Sequence, residues 1–274
     1  MHGRVHSPGV NRRLASLAAS LALVAGGCGD DDDGAGDGAS QPEWKPPAWS
    51  YSENGGAEKW ASLSERYAAC ETGMEQSPID LAHARKAPLP PLKLDYKAGP
   101  AEIENNGHTV EVIYELGTNS VTVEGTEYDL VQSHYHLPSE HEIAFVQEPI
   151  EMHFVHVSED REFLVLGAFV RAGETNSAWD PVAADLPGKE GGTHELEQVS
   201  PLDLLPEDAA TGWRWSYSGS LTTPPCTEGV AWNILRTRIE MSPSQIAEFK
   251  DVFEGNRRPV QPRHGRGIVL GRPR

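Results

Sequence analysis

The sequence predicts a mainly β protein built as one large domain, and three observations carry that reading. Of 274 residues, 27 are glycine and 21 proline, while 38% are hydrophobic; this mix suits a loop-rich β protein better than a helical bundle. Short runs rich in branched side chains recur along the chain, broken by Gly, Pro and Asn. Strands do not alternate with helices in βαβ fashion and no glycine-rich phosphate loop occurs, so a nucleotide-binding fold is not supported.

The first segment reads as targeting. Arg12 and Arg13 form a short basic region, residues 14–24 are apolar, and Ala25-Gly26-Gly27-Cys28 places small residues before a cysteine. The apolar run is too short for a permanent bilayer span, so a removed signal peptide over 1–27 fits better. The cysteine resembles a bacterial lipoprotein cleavage site, with Cys28 as the lipidated residue and an ordinary secretory signal as the alternative. Residues 28–43 hold Asp30, Asp31, Asp32, Asp33 and Asp37 among Gly, Ala and Ser. Such a stretch has nothing to bury and reads as a self-repelling tether. The folded domain is expected over 44–274. The expected location is therefore exported, periplasmic or on the outer membrane or cell surface, with a membrane partner through the lipid on Cys28. The net charge of −18 disfavours nucleic acid as a partner.

Within the domain, strands are expected at 109–116, 120–124, 130–136, 151–158, 163–171 and 230–239, which argues for an extensive sheet. One helix is well signalled. Ser242 can cap it, Pro243 takes its first position, Gln245 can complete a capping box, Ile246, Phe249 and Phe253 form an apolar stripe, and Gly255 stops it. With Cys28 assigned to lipid, Cys70 and Cys226 remain as a pair. In an exported protein such a pair suggests a disulfide, with two buried free thiols as the alternative.

The chemistry concentrates in Gln132-Ser133-His134-Tyr135-His136. Side chains two apart on a strand share a face, about 7 Å apart, so His134 and His136 can converge on one ion, with Gln132 on the same face. A third imidazole would complete a three-histidine catalytic zinc site with an open fourth position. His153 and His156 are both candidates on opposite strand faces. His153 shares its face with Glu151, a carboxylate placed to orient a ligand, which favours His153 and leaves His156 open. His134, His136 and Glu140 also resemble a first cupin motif for manganese or iron, but the second cupin motif is not found.

The run Gly219-Ser220-Leu221-Thr222-Thr223-Pro224-Pro225-Cys226-Thr227-Glu228-Gly229-Val230 resembles a signature of the alpha class of carbonic anhydrases. Gln76-Ser77-Pro78-Ile79-Asp80, Asn105-Asn106-Gly107-His108 and Asn256-Arg257-Arg258-Pro259-Val260-Gln261 resemble further motifs of that family, in its order. The resemblance covers the chain from about Trp49 onward. It implies a single domain around a large twisted, mostly antiparallel mixed sheet with short surface helices. It also implies a zinc enzyme that interconverts carbon dioxide and bicarbonate. Position by position, His134, His136 and His153 would hold Zn2+, with Gln132 and Glu151 orienting two of them. Thr222 would accept from the hydroxide and donate to Glu140, and His108 would shuttle protons. Val155, Val165, Leu221, Thr223, Val230 and Trp232 would line the substrate pocket, and Cys70 would pair with Cys226 as in exported members. The short gap from His136 to Glu140 is like that of bacterial members and implies a trimmed, more open cleft. A relative that keeps the fold but serves only recognition is the rival reading; it would lack ligands, and here all three histidines, Thr222 and Glu140 are present. The oligomeric state, monomer or dimer, is not set by these motifs.

Overall fold

The computed structural model describes residues 45–274, apart from Glu53 and Glu254; the expected signal, Cys28 and tether lie outside the described residues. The fold occupies the unit Pro47–Arg274. Its strands are β1 (Arg85–Lys86), β2 (Lys93–Asp95), β3 (Gly99–Asn105), β4 (Val110–Tyr114), β5 (Ser120–Val123), β6 (Thr126–His136), β7 (Ile150–Ser158), β8 (Phe163–Ala172), β9 (Thr193–Val199), β10 (Arg214–Ser220), β11 (Glu228–Met241) and β12 (Val269–Gly271). They form one sheet in the order β1-β12-β10-β11-β8-β7-β6-β4-β3-β9, with β5 bridging β2 and β6. Only β1–β12 and β11–β8 pair in parallel among the described residues. The mainly β, mostly antiparallel mixed sheet is therefore as expected.

The central strands explain why the sequence folds this way. All but one residue of β7 is buried, as are the first eight of β8, so their runs read as continuously apolar rather than alternating. One face packs a core that includes Tyr135, Phe154, Leu164 and Leu166. The helix α1 (Pro243–Val252) covers that core. Its capping box between Ser242 and Gln245 forms as predicted. Phe249 reaches Tyr135 edge-on at 4.7 Å between ring centroids, a burial that contributes about 2 kcal/mol.

Strands β3, β9 and β10 were not foreseen. Strand β3 opens on Gly-Pro, β9 is an edge strand exposed at five of seven positions, and β10 carries Ser and Gly in place of branched residues. Cys70 and Cys226 form a disulfide across 156 positions of sequence. It joins a small second cluster of Trp60 and Tyr67, against which Trp49 and Tyr51 pack.

Candidate metal centre

Register across the sheet puts the chemistry on the face opposite the main core. His134 on β6 stands directly across from His153 on β7, and His136 from Glu151. His153 in turn faces Gly167 on β8. That glycine leaves room: a Cβ there would sit 3.1 Å from Ile234 and 3.4 Å from a Glu151 carboxylate oxygen. The neighbouring row on the same face runs Gln132, Val155, Val165, Trp232, Tyr217 across five strands.

The three imidazoles lie with ring centroids 5.0, 5.2 and 4.7 Å apart, and one nitrogen from each falls within 4.8 Å of the others. Each ring has a defined outer acceptor. His134 Nδ1 donates to Gln132 Oε1 at 2.8 Å, His136 Nδ1 to the Asn256 carbonyl at 2.6 Å, and His153 Nε2 to Glu151 Oε1 at 2.9 Å. These bonds fix the tautomers and leave Nε2, Nε2 and Nδ1 with free lone pairs. His136 Nε2 is buried with no hydrogen-bond partner, a cost of about 1–3 kcal/mol unless something occupies the space. Burial, with His136 and His153 alongside, holds the His134 imidazole well below its ordinary pKa; burial also lowers His136. Neutral imidazole is the form that ligates a metal. The cluster therefore fits a divalent cation.

Glu151 anchors the arrangement. Its Oε2 accepts from the backbone N–H of Glu140 at 2.9 Å and of His141 at 2.8 Å; its Oε1 accepts from His141 Nδ1 at 2.7 Å as well as from His153. Burial works upward on its pKa, but the neighbouring His141 and His153 and their hydrogen bonds hold the carboxylate well below its usual range. His141 Nε2 meets Tyr217 Oη at 2.6 Å, and Tyr217 meets Ser77 Oγ at 2.9 Å. Glu140 is wholly buried; its Oε1 accepts the Arg258 backbone N–H at 2.8 Å. Its Oε2 has no hydrogen-bond partner and lies 3.4 Å from His136 Nε2. Thr222 is buried in the turn between β10 and β11; no hydrogen bond joins it to Glu140 among the described residues.

Of the residues expected at the substrate pocket, Val155, Val165, Val230 and Trp232 are buried, and Leu221 and Thr223 are half-buried. Trp232 is locked by its Nε1 donating to the Ser220 carbonyl at 3.0 Å, and its ring meets His153 at 4.9 Å. His108 is half-buried and stacks flat on Trp49, centroids 3.7 Å apart. Burial pulls its pKa down, while nearby Glu190 pushes it up. His156 lies on the other face of β7: its Nδ1 donates to the Leu164 carbonyl at 3.2 Å and its Nε2 meets Tyr96 Oη at 2.5 Å.

Asn256 was quoted from the sequence only as part of a motif, yet it joins the site's parts. Besides receiving His136, its side chain accepts from Leu137 N and donates to the carbonyls of Tyr135 and His108. His141, Tyr217 and Arg258 were likewise given no role; of the three, Arg258 alone stands within a motif quoted above. Arg258 donates to Gln76, Ser77 and Cys70, which ties the disulfide to the back of Glu140.

The chain matches a family described as eukaryotic-type carbonic anhydrase over residues 55–271. It is similar to a carbonic anhydrase of Neisseria gonorrhoeae, 38% identical over 222 residues that span 81% of this chain and 87% of that protein. A carbonic anhydrase of Klebsiella pneumoniae is 36% identical over 224 residues, 81% of this chain and 90% of that one. A solved alpha carbonic anhydrase of Thermovibrio ammonificans, in complex with the inhibitor sulfanilamide, matches with a TM-score of 0.78 at 38% identity, covering 81% of this chain and 99% of that one.

Proposed function

The chain belongs to the eukaryotic-type, or alpha, carbonic anhydrase family, an enzyme family whose reaction is the hydration of carbon dioxide, and from that premise we propose how this protein performs it. The reading rests chiefly on one observation: three imidazole nitrogens with fixed tautomers and unengaged lone pairs converge within 4.8 Å. His134 Nε2, His136 Nε2 and His153 Nδ1 would hold Zn2+. A zinc ion bound by three neutral histidines supplies Lewis acidity that brings the pKa of water from 15.7 to about 7.

The protein's own groups do the rest. Gln132, Glu151 and the Asn256 carbonyl keep the three rings aimed. Glu140, as a carboxylate, only accepts; a Thr222 hydroxyl turned to its unpaired Oε2 would donate there and could then only accept from a group at the metal's open position, orienting that group toward the substrate. Val155, Val165, Val230 and Trp232, with Leu221 and Thr223, offer an uncharged substrate a dry wall that water does not contest. The proton left after each turnover passes to His108, whose ring stacks on Trp49; burial holds its pKa below the ordinary histidine value, which favours release of the proton onward to solvent.

The molecule is organised as a signal peptide over 1–27, a lipidated Cys28 opening an acidic tether over 28–43, and an exported catalytic domain over 44–274. The disulfide supports an oxidising compartment. Stopped-flow carbon dioxide hydration by the full chain, with zinc assayed on the same sample, tests the proposal. Chelator-sensitive turnover at about one zinc per chain is expected. A folded, zinc-loaded but inactive protein would overturn the catalytic reading, and a folded protein that takes up no zinc would overturn the ligand set.

A further inference from the structure

Residues 255–274 contain Arg257, Arg258, Arg263, Arg266, Arg272 and Arg274 and no Asp or Glu, in a chain whose net charge is −18. Arg258 and Arg266 are spent on backbone carbonyls near Gln76 and Ser77, and Arg263 on that of Ala82. Arg272 and Arg274 are not. They line a cleft of about 540 Å³ together with Lys86, Thr211, Trp213 and Gly271. The volume lies within the range of small-ligand sites.

The cleft is built at the sheet's β1–β12 edge. Strand β1 pairs in parallel with β12, Lys86 against Leu270, and Trp213 immediately precedes β10. Gly271 is required at its base, because a Cβ there would fall 1.9 Å from the Ala87 carbonyl oxygen. The Arg272 guanidinium sits 5.9 Å above the Trp213 ring. No Asp or Glu side chain lines the cleft, and among the described residues none of Lys86, Arg272 and Arg274 has one within salt-bridge distance. Arg214, directly across the ladder from Gly271, lies outside the cleft's lining; it is 1% exposed and donates to Asn233 and to the Pro90 carbonyl.

Three cationic side chains gathered with no Asp or Glu among them repel one another, and in so acidic a protein the arrangement is not a by-product of composition. Guanidinium forks match phosphate oxygens two at a time, and a half-buried indole offers a flat apolar side. We propose that this cleft is a binding site for a small phosphate-bearing anion. It is separate from the metal centre: β12 and β7 are four strand spacings apart in the sheet, about 19 Å.

Calorimetric titration of the full chain with inorganic pyrophosphate tests this. Saturable one-to-one binding is expected, weakening as salt rises. The Lys86→Ala/Arg272→Ala variant should bind about tenfold or more weakly, with melting and carbon dioxide hydration unchanged. The single variant Lys86→Glu, at an exposed position, should have the same effect should the double variant fold poorly. Vesicles containing phosphatidic acid distinguish the source: competition with pyrophosphate assigns the site to a lipid headgroup, and no competition to a free phosphate. Binding absent at millimolar pyrophosphate, or undiminished in both variants, overturns the proposal.

Discussion

Replacing Glu151 by glutamine keeps the side chain's shape and changes only what it can accept. Oε1 receives two donors, from His141 and His153, and Oε2 two more, from the backbone of Glu140 and His141. A glutamine can present one oxygen and one NH2 group, so whichever way it turns, two buried donors face a donor. Each loses its partner at about 1–3 kcal/mol, a total of about 2–6 kcal/mol. For a domain of this size that corresponds to a fall in Tm of roughly 5–20 °C. Glu151 also fixes the tautomer that leaves His153 Nδ1 free, and loss of such an outer partner weakens metal affinity about 10–100-fold. The assays are thermal melting of the metal-free protein and zinc competition against a chromophoric chelator. A Glu151→Gln protein that melts within about 2 °C of the parent and binds zinc within about threefold would refute the account of this carboxylate.

Three more outcomes are expected. Replacing Cys70 and Cys226 by alanine releases a loop spanning 156 positions, so the loop-entropy account gives a loss of about 5 kcal/mol, read as a lower midpoint in urea; an unchanged midpoint would contradict it. His156 has its pKa lowered to about 4 by burial. The unfolded chain therefore takes up a proton between pH 6.5 and 4 that the folded chain refuses, and stability should fall with pH across that window by about 1.4 kcal/mol per unit; His156→Asn should flatten that slope in denaturant titrations at pH 4.5 and 6.5. Finally, His108→Ala should lower kcat in weakly buffered solution by about a hundredfold while leaving kcat/KM near its original value, and added imidazole should restore it; a proportional loss in both parameters would contradict a proton-relay role.

Much of this fold was legible because its central strands are covered on both faces. The runs at 130–136, 151–158 and 163–171 could be read as strands from branched content alone, and each was found with slightly wider bounds. Edge strand β9 carries Glu195 and Glu197 on the solvent side, and the same charges that protect an edge from pairing conceal it as a strand. The spacing of His134 and His136 revealed one strand's contribution to the site because period-two geometry is local. The choice between His153 and His156 needed the register of β7 against β6. The hold of Asn256 on His136 was illegible for a different reason: it is made by the backbone carbonyl, which every residue possesses and no side-chain pattern advertises.

That carbonyl lies 120 positions beyond the histidine it receives. A polypeptide emerging N-terminus first therefore presents all three imidazoles long before the group that settles the tautomer of His136 arrives. Until then His136 can offer either ring nitrogen, and any ion captured by the nascent strands meets a floppy, non-selective chelate. Selective capture of an ion is thereby deferred until the segment that carries Asn256 has docked against the strand that carries His136.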